Sequence, residues 1–259
     1  MYLICPCHTT EFLTKYNLGI EAPIGRFEKL DGWEKYIPFV HGVHLPYAHL
    51  NLAAFDDNLR NSSIDAIKKS IDIGCQYPVD RMVMHTLGIE YWGAGPIGCY
   101  ERMIDGMKEI ADYALTKNIK ICVENSALHI PERKIYGVFA DEWIEIYKDV
   151  DRPNVLLTLD TSHAAAAAAY IKKDGTAEER FNYLYEFLKY PELIGWVHWS
   201  DSLLTNAESY MEDLHLPVGA GDFPIDFHKK IKALNVTKTL EQHNPAEDEI
   251  KALQFIESL

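Results

Sequence analysis

Val155-Leu156-Leu157-Thr158-Leu159-Asp160-Thr161-Ser162-His163, followed by the alanine run Ala164–Ala169, is the stretch that decides the fold. An apolar run broken only by Thr158 reads as a strand buried on both faces, as parallel strands are. Alanine is the best helix former, so the run after it opens a tightly packed helix. Between the two, where the chain leaves the strand, stand a carboxylate and an imidazole. Strand, then ligand-bearing turn, then helix is the unit to look for elsewhere.

The unit recurs in both directions along the chain. Short runs rich in Val, Ile and Leu occupy Tyr2–Cys5, Leu18–Ala22, Val40–His44, Arg81–His85, Lys120–Glu124, Val155–Asp160, Leu193–His198 and Val236–Glu241. Segments with apolar residues at helical spacing lie between them: Ser62–Gly74, Ile97–Thr116, Phe139–Asp149, Ala177–Tyr190, Ile225–Leu234 and Ala246–Leu259. Eight strands alternating with helices predict an α/β protein, a (β/α)8 TIM barrel, formed by residues 1–259 as a single domain. The competing doubly wound sheet calls for a glycine-rich first turn, and no GxGxxG follows the first strand. Pro, Gly and Ser are scattered rather than clustered, so nothing marks a linker.

With 39 acidic against 25 basic side chains the formal charge is −14, which disfavours loose attachment to nucleic acid or anionic membranes. Three bound divalent ions would offset nearly half of it, so a nucleic-acid substrate is not excluded. The five cysteines form no CxxC pair and fit a reducing compartment. No signal peptide is expected from Met1–Cys5, and no apolar run reaches membrane-spanning length. The chain reads as cytoplasmic, with no membrane association and no obligate protein partner evident.

At or just beyond the strand ends stand His44, His85, Glu124, Asp160, His163, His198, Asp213, His215 and Glu241, in the contexts VHLPY, MVMHT, KICVEN, VLLTLDTSH, GWVHWSDS, EDLHL and TKTLEQH. A barrel gathers its strand ends on one rim, where its active sites lie. Asp213 and His215, two apart, face the same way if the backbone there is extended. Any one of these residues alone reads equally well as a hydrogen-bonded polar side chain. Together, four carboxylates converging on one mouth would repel each other unless cations neutralised them. Imidazole and carboxylate suit borderline divalent ions, so the pattern predicts a site for more than one metal ion. His8, His41, His49, His129, His228 and His243 lack the pattern and are assigned structural or solvent roles.

These motifs, from about Val40 to Glu241, resemble the endonuclease IV (AP endonuclease family 2) branch of the xylose isomerase-like TIM barrel superfamily. The resemblance implies three ions, zinc with manganese or iron as substitutes. One would be held by His44, His85 and Glu124. A second would be shared through Glu124 with Asp160, His198 and Glu241, and a third would take His163, Asp213 and His215. It also implies hydrolysis of a phosphodiester in DNA at abasic sites. Glu124 would bridge two ions, Glu241 would orient or deprotonate the nucleophile, and Tyr47 would contact the phosphate or the extruded sugar.

The alternative is a sugar or sugar-phosphate isomerase or epimerase of the same superfamily. It would use one manganese or magnesium ion, with Glu124 and Glu241 as the acid–base pair. Departures from the endonuclease pattern favour that alternative. Thr86-Leu87-Gly88 replaces Pro-Gly-Ser after His85, and Ala220 replaces a glutamate in Gly219-Ala220-Gly221. The loop Ser202–Asp213 is acidic where a DNA-gripping loop ought to be basic. Candidate phosphate contacts are Arg26, Lys29, Arg60, Arg133 and Lys134. Trp33, Tyr47, Tyr91, Trp92 and Trp199 are candidates for stacking on a base or sugar. A barrel that binds metal or ligand without catalysis is a third, non-enzymatic reading.

Overall fold

The computed structural model describes residues 1–5, 8–93, 95–127, 133–205, 213–242 and 245–259, excluding the side chains of Trp92 and Arg133. Cys7, His129, His243 and most of the loop Ser202–Asp213 therefore lie outside the described residues.

Eight parallel strands close into a barrel: β1 (Leu3–Ile4), β2 (Gly19–Pro23), β3 (Val40–His44), β4 (Arg81–His85), β5 (Lys120–Glu124), β6 (Val155–Asp160), β7 (Ile194–Trp199) and β8 (Thr237–Leu240). Each strand pairs with its chain neighbours, and β8 closes on β1 through Leu3 opposite Thr239. The helices are α1 (Thr10–Tyr16), α2 (Asp57–Gly74), α3 (Tyr100–Thr116), α4 (Ala140–Val150), α5 (Thr161–Ile171), α6 (Ala177–Leu184), α7 (Ile225–Ala233) and α8 (Ala246–Ser258).

The differences from the sequence reading have local causes. The short helix α1, capped by the Thr9 side chain, is too brief to show a periodic pattern. Helix α2 begins a turn earlier than expected because the Asp56 carboxylate accepts from the backbone N–H groups of Asn58 and Leu59. The expected helix Ala177–Tyr190 tightens after Leu184 into a 3-10 turn, Tyr185–Leu188. Between β2 and β3 there is no α-helix but two 3-10 segments, Phe27–Lys29 and Trp33–Phe39, the second containing Pro38, which has no N–H to donate. An antiparallel excursion, Ile89–Trp92 with Gly95–Pro96 and Arg133–Ile135, stands outside the barrel sheet.

Period-two alternation decides what faces the barrel axis. Leu3, Val83, Cys122 and Trp196 form a buried cluster of their own, with Leu156 against it, separate from the main core packed around the strands. Two residues further along β4, β5, β6 and β7 come His85, Glu124, Thr158 and His198, so the apolar plug supports a polar layer. Room for the Trp196 indole comes from Gly42, where a Cβ would lie 2.6 Å from the ring. Register shifts between β2 and β3 and between β6 and β7 bring Glu21 opposite Gly42 and His198 opposite Asp160. Such irregularities commonly re-aim side chains near active sites.

Candidate metal centre

Glu124, at the end of β5, is the hub. Its Oε2 lies 3.3 Å from His44 Nε2 and 3.5 Å from His85 Nε2. Its Oε1 lies 3.2 Å from His198 Nδ1 and 3.4 Å from His163 Nδ1. Burial alone would raise this carboxyl, but His85, His198 and His44 hold it well below the ordinary range. His198 Nδ1 also stands 2.7 Å from Glu241 Oε2 and 3.8 Å from Asp160 Oδ2.

On the far side, His163 Nε2 and His215 Nε2 lie 3.3 and 3.0 Å from the same oxygen, Asp213 Oδ2. His215 sits at φ +41°, so the chain there is left-handed rather than extended. The Asp213–His215 pair meets through that turn and not by strand alternation, contrary to the reading from spacing. A backbone bridge between Asp201 and Leu216 and a bond from His215 N–H to Ser162 Oγ hold the segment in place.

The nine candidate residues are thus brought together, and the arrangement fits metal on several counts. Donor atoms on one ion at bond lengths of about 2.1 Å stand roughly 3 to 3.5 Å apart. The separations within the Glu124 and Asp213 groups fall in or near that span. Donor atoms gather as Glu21, His44 and His198; as His44, His85 and Glu124; as Glu124, Asp160, His198 and Glu241; and as Asp160, His163 and His215, the last with Asp160 where the resemblance implied Asp213. Asp160 Oδ2 is buried without a hydrogen bond, and Glu241 Oε2, though close to His198, is not aligned for one. Buried polar atoms rarely go unpaired, and a cation is the natural partner for two anionic ones.

Outer contacts orient the rings. Nδ1 of His44 bonds the Leu45 carbonyl at 2.8 Å, Nδ1 of His163 that of Asn125 at 2.8 Å, and Nδ1 of His215 that of Glu241 at 2.9 Å. Since a carbonyl only accepts, each Nδ1 carries the proton, and in the neutral ring each Nε2 offers its lone pair. His198 is turned the other way. Its Nε2 is 3.1 Å from both oxygens of Glu21, leaving Nδ1 toward Glu124 and Glu241. Thr239 Oγ1 donates to Glu21 in turn, and Trp196 Nε1 donates to Thr239 at 3.0 Å. Glu21 was not read from the sequence. Its one signal is a lone acid in the otherwise apolar run Gly19–Pro23.

Asp160 has a further task, since its other oxygen caps α5 by accepting from His163 N–H at 2.8 Å. The Asn125 side chain ties β5 to β6 by bonding both the N–H and the carbonyl of Asp160. Burial raises the Asp160 carboxyl to about 7, and burial pushes His85 down to about 4. Burial would lower His215 too, yet Asp160 and Asp213 raise it to about 9.

The candidates for substrate contact divide. Tyr47 stands at the mouth, its ring 4.7 Å from that of His85, and Arg26 lies 5.4 Å from the Tyr47 centroid. Arg60 instead bonds the Arg102 carbonyl, and Lys134 pairs with Glu90. Trp199 is fully buried, donating to His228, and Trp33 packs on Phe27, so neither is free to stack on a base. His228 is a buried structural residue, bonded also to Asp201.

Among relatives, an uncharacterized protein of Methanocaldococcus jannaschii is 27% identical over 172 residues, 64% of this chain but only 54% of that protein. Among solved structures, a D-tagatose 3-epimerase-like protein superposes with a TM-score of 0.71 at 19% identity, covering 100% of this chain and 96% of that one. A Thermus thermophilus protein soaked with zinc chloride gives 0.68 at 17%, covering 99% and 96%. D-psicose and L-ribulose 3-epimerases are among the other matches. These likenesses reach the fold, and the family is shown by sequence. A family model described as xylose isomerase-like TIM barrel matches residues 33–259, and the chain belongs to that family.

Proposed function

We propose that the chain is a metal-dependent phosphoester hydrolase with a polynuclear centre of the endonuclease IV type, holding three divalent ions, zinc foremost. The observation that carries this reading is Glu124, with the donor nitrogens of His44 and His85 at one oxygen and that of His198 at the other. A bridging ligand needs both oxygens engaged. A general base working beside a sugar carbon needs one free, and Glu124 is 1% exposed. His44, His85, Asp213 and His215 also have no evident task in a one-metal isomerase.

Bound divalent ions would supply Lewis acidity and charge neutralisation at a phosphoryl group. The remaining work falls to the chain. Glu241, kept ionised by His198 although burial opposes it, orients or deprotonates the attacking water. Tyr47 and Arg26 at the mouth hold the phosphoryl oxygens from outside. Glu21 keeps His198 in the orientation the centre requires. Among phosphoesters, abasic DNA has the weaker support, because Arg60 and Lys134 are engaged elsewhere and Trp199 is buried.

The second reading is a one-metal sugar epimerase. The four-donor group Glu124, Asp160, His198 and Glu241 and the epimerases among similar structures favour it. Metal-replete protein is assayed on an abasic duplex, on bis(p-nitrophenyl) phosphate and on ketose epimerisation. Chelator-sensitive phosphoester cleavage, reduced about 10²-fold or more by Glu241→Gln, supports the hydrolase. Epimerase activity with inertness on every phosphoester removes it.

A further inference from the structure

The mouth of the barrel opens into a cavity of about 490 Å³, and its two sides differ in chemistry. One side is the ligand cluster. The other is formed by Leu50, Leu87, Ile89, Ala127 and Ile135. Ile89 and Ile135 are direct partners in the antiparallel excursion, which places the two isoleucines side by side at the rim. Leu87 lines the cavity from φ +52°, a left-handed conformation that costs a branched aliphatic residue stability and is kept where the surroundings enforce it.

Among the described residues lining the cavity outside the ligand set, several polar groups are engaged with one another. The Thr86 and Ser126 hydroxyls lie 2.9 Å apart, and both reach the Tyr136 carbonyl. Thr239 and Glu21 are committed to each other, and Glu21 to His198 as well. Among the described lining residues outside the ligand set, Arg26 and Tyr47 keep polar groups facing solvent at the mouth. Arg26 is the sole Lys or Arg among them and makes no ion pair among the described residues.

We propose that the substrate is a small phosphate ester of an aliphatic alcohol, its phosphoryl group between the ligand cluster and Arg26 and its hydrocarbon on the Leu87–Ile89–Ile135 wall. This rests on the phosphoester reading above. A polyhydroxylated sugar would leave hydroxyls unpaired against that wall, each at a cost of about fivefold or more in affinity. In the reaction, water adds to phosphorus while the ester P–O bond breaks. The proton that the water gives up to Glu241 is returned to the departing alkoxide oxygen, releasing the alcohol and phosphate.

The test is calorimetric titration of metal-replete protein with inorganic phosphate, then ethyl, butyl and hexyl phosphate, ribose 5-phosphate and an abasic duplex. Burial of each methylene is expected to tighten binding about fourfold along the first part of the alkyl series. Ile89→Ala, at a half-buried position outside the core cluster, is expected to flatten that series while metal content and inorganic phosphate binding persist. Equal affinity across the alkyl series, or tighter binding of ribose 5-phosphate or the duplex than of hexyl phosphate, overturns the proposal. Failure of inorganic phosphate to bind overturns the phosphoester reading beneath it.

Discussion

Single side chains in this barrel do two jobs at once, and Asp160 shows the conflict most plainly. One oxygen caps α5, and the other lies buried without a partner. Burial lifts its carboxyl to about 7, so the metal-free fold holds a proton there that the unfolded chain would release. A carboxyl raised in the folded state contributes stability below its unfolded value that is lost as pH climbs through the folded one. Asp160→Asn keeps the cap and removes the penalty, so the metal-free variant is expected to melt higher than wild type at pH 8 while binding less metal. Thermal melts with and without zinc check both halves. Asp160 near 7 and His215 near 9 must also shed protons to serve as ligands. Metal affinity should therefore rise from pH 6 to 9, with proton release measurable by calorimetry in buffers of different ionisation enthalpy. Glu21 contributes through His198 rather than by touching substrate. Loss of such an outer carboxylate typically weakens metal binding 10- to 100-fold, so Glu21→Gln is expected to lower zinc affinity by that order. A competition titration with a chromophoric chelator measures it.

At the scale of elements, the strand ends carry the site and the plug below sets its height. Adding a Cβ at Gly42 on β3 would drive into the Trp196 indole, whose N–H reaches Glu21 through Thr239. Gly42→Ala is therefore expected to destabilise by about 1 to 3 kcal/mol, as overpacking does, and to loosen His198 as well. Denaturant melts and zinc affinity should fall together; a drop in stability with unchanged affinity would uncouple the plug from the site. The strand ends were legible in the sequence because each closes an apolar run with an imidazole or carboxylate, as Val83-Met84-His85 and Cys122-Val123-Glu124 do. The support was not. Glu21 sits inside a strand without any motif, and its partner His198 is 177 residues away. The excursion sheet pairs Ile89 with Ile135, a contact that no local periodicity encodes. The left-handed turn at His215 likewise answers to the bond from its N–H to Ser162 and to the bridge between Leu216 and Asp201 rather than to spacing.

For the molecule as a whole, the chain concentrates acidic and imidazole groups at one end of a barrel whose net charge is −14. Among the described residues, no helix is long and apolar enough to cross a membrane. Filling the centre should stabilise the entire fold, since ions bound only by the folded chain raise its stability by mass action. Removal by chelator is expected to lower the melting temperature, and zinc to restore it. The separation between a one-metal and a three-metal barrel rests on His44, His85, Asp213 and His215, which the fold brings to the same mouth as Glu124 and Glu241. Elemental analysis of protein purified without chelator tests that claim most directly. About three divalent ions per chain is the predicted result, falling on His44→Ala substitution; a single ion per chain, unchanged by that substitution, would contradict it.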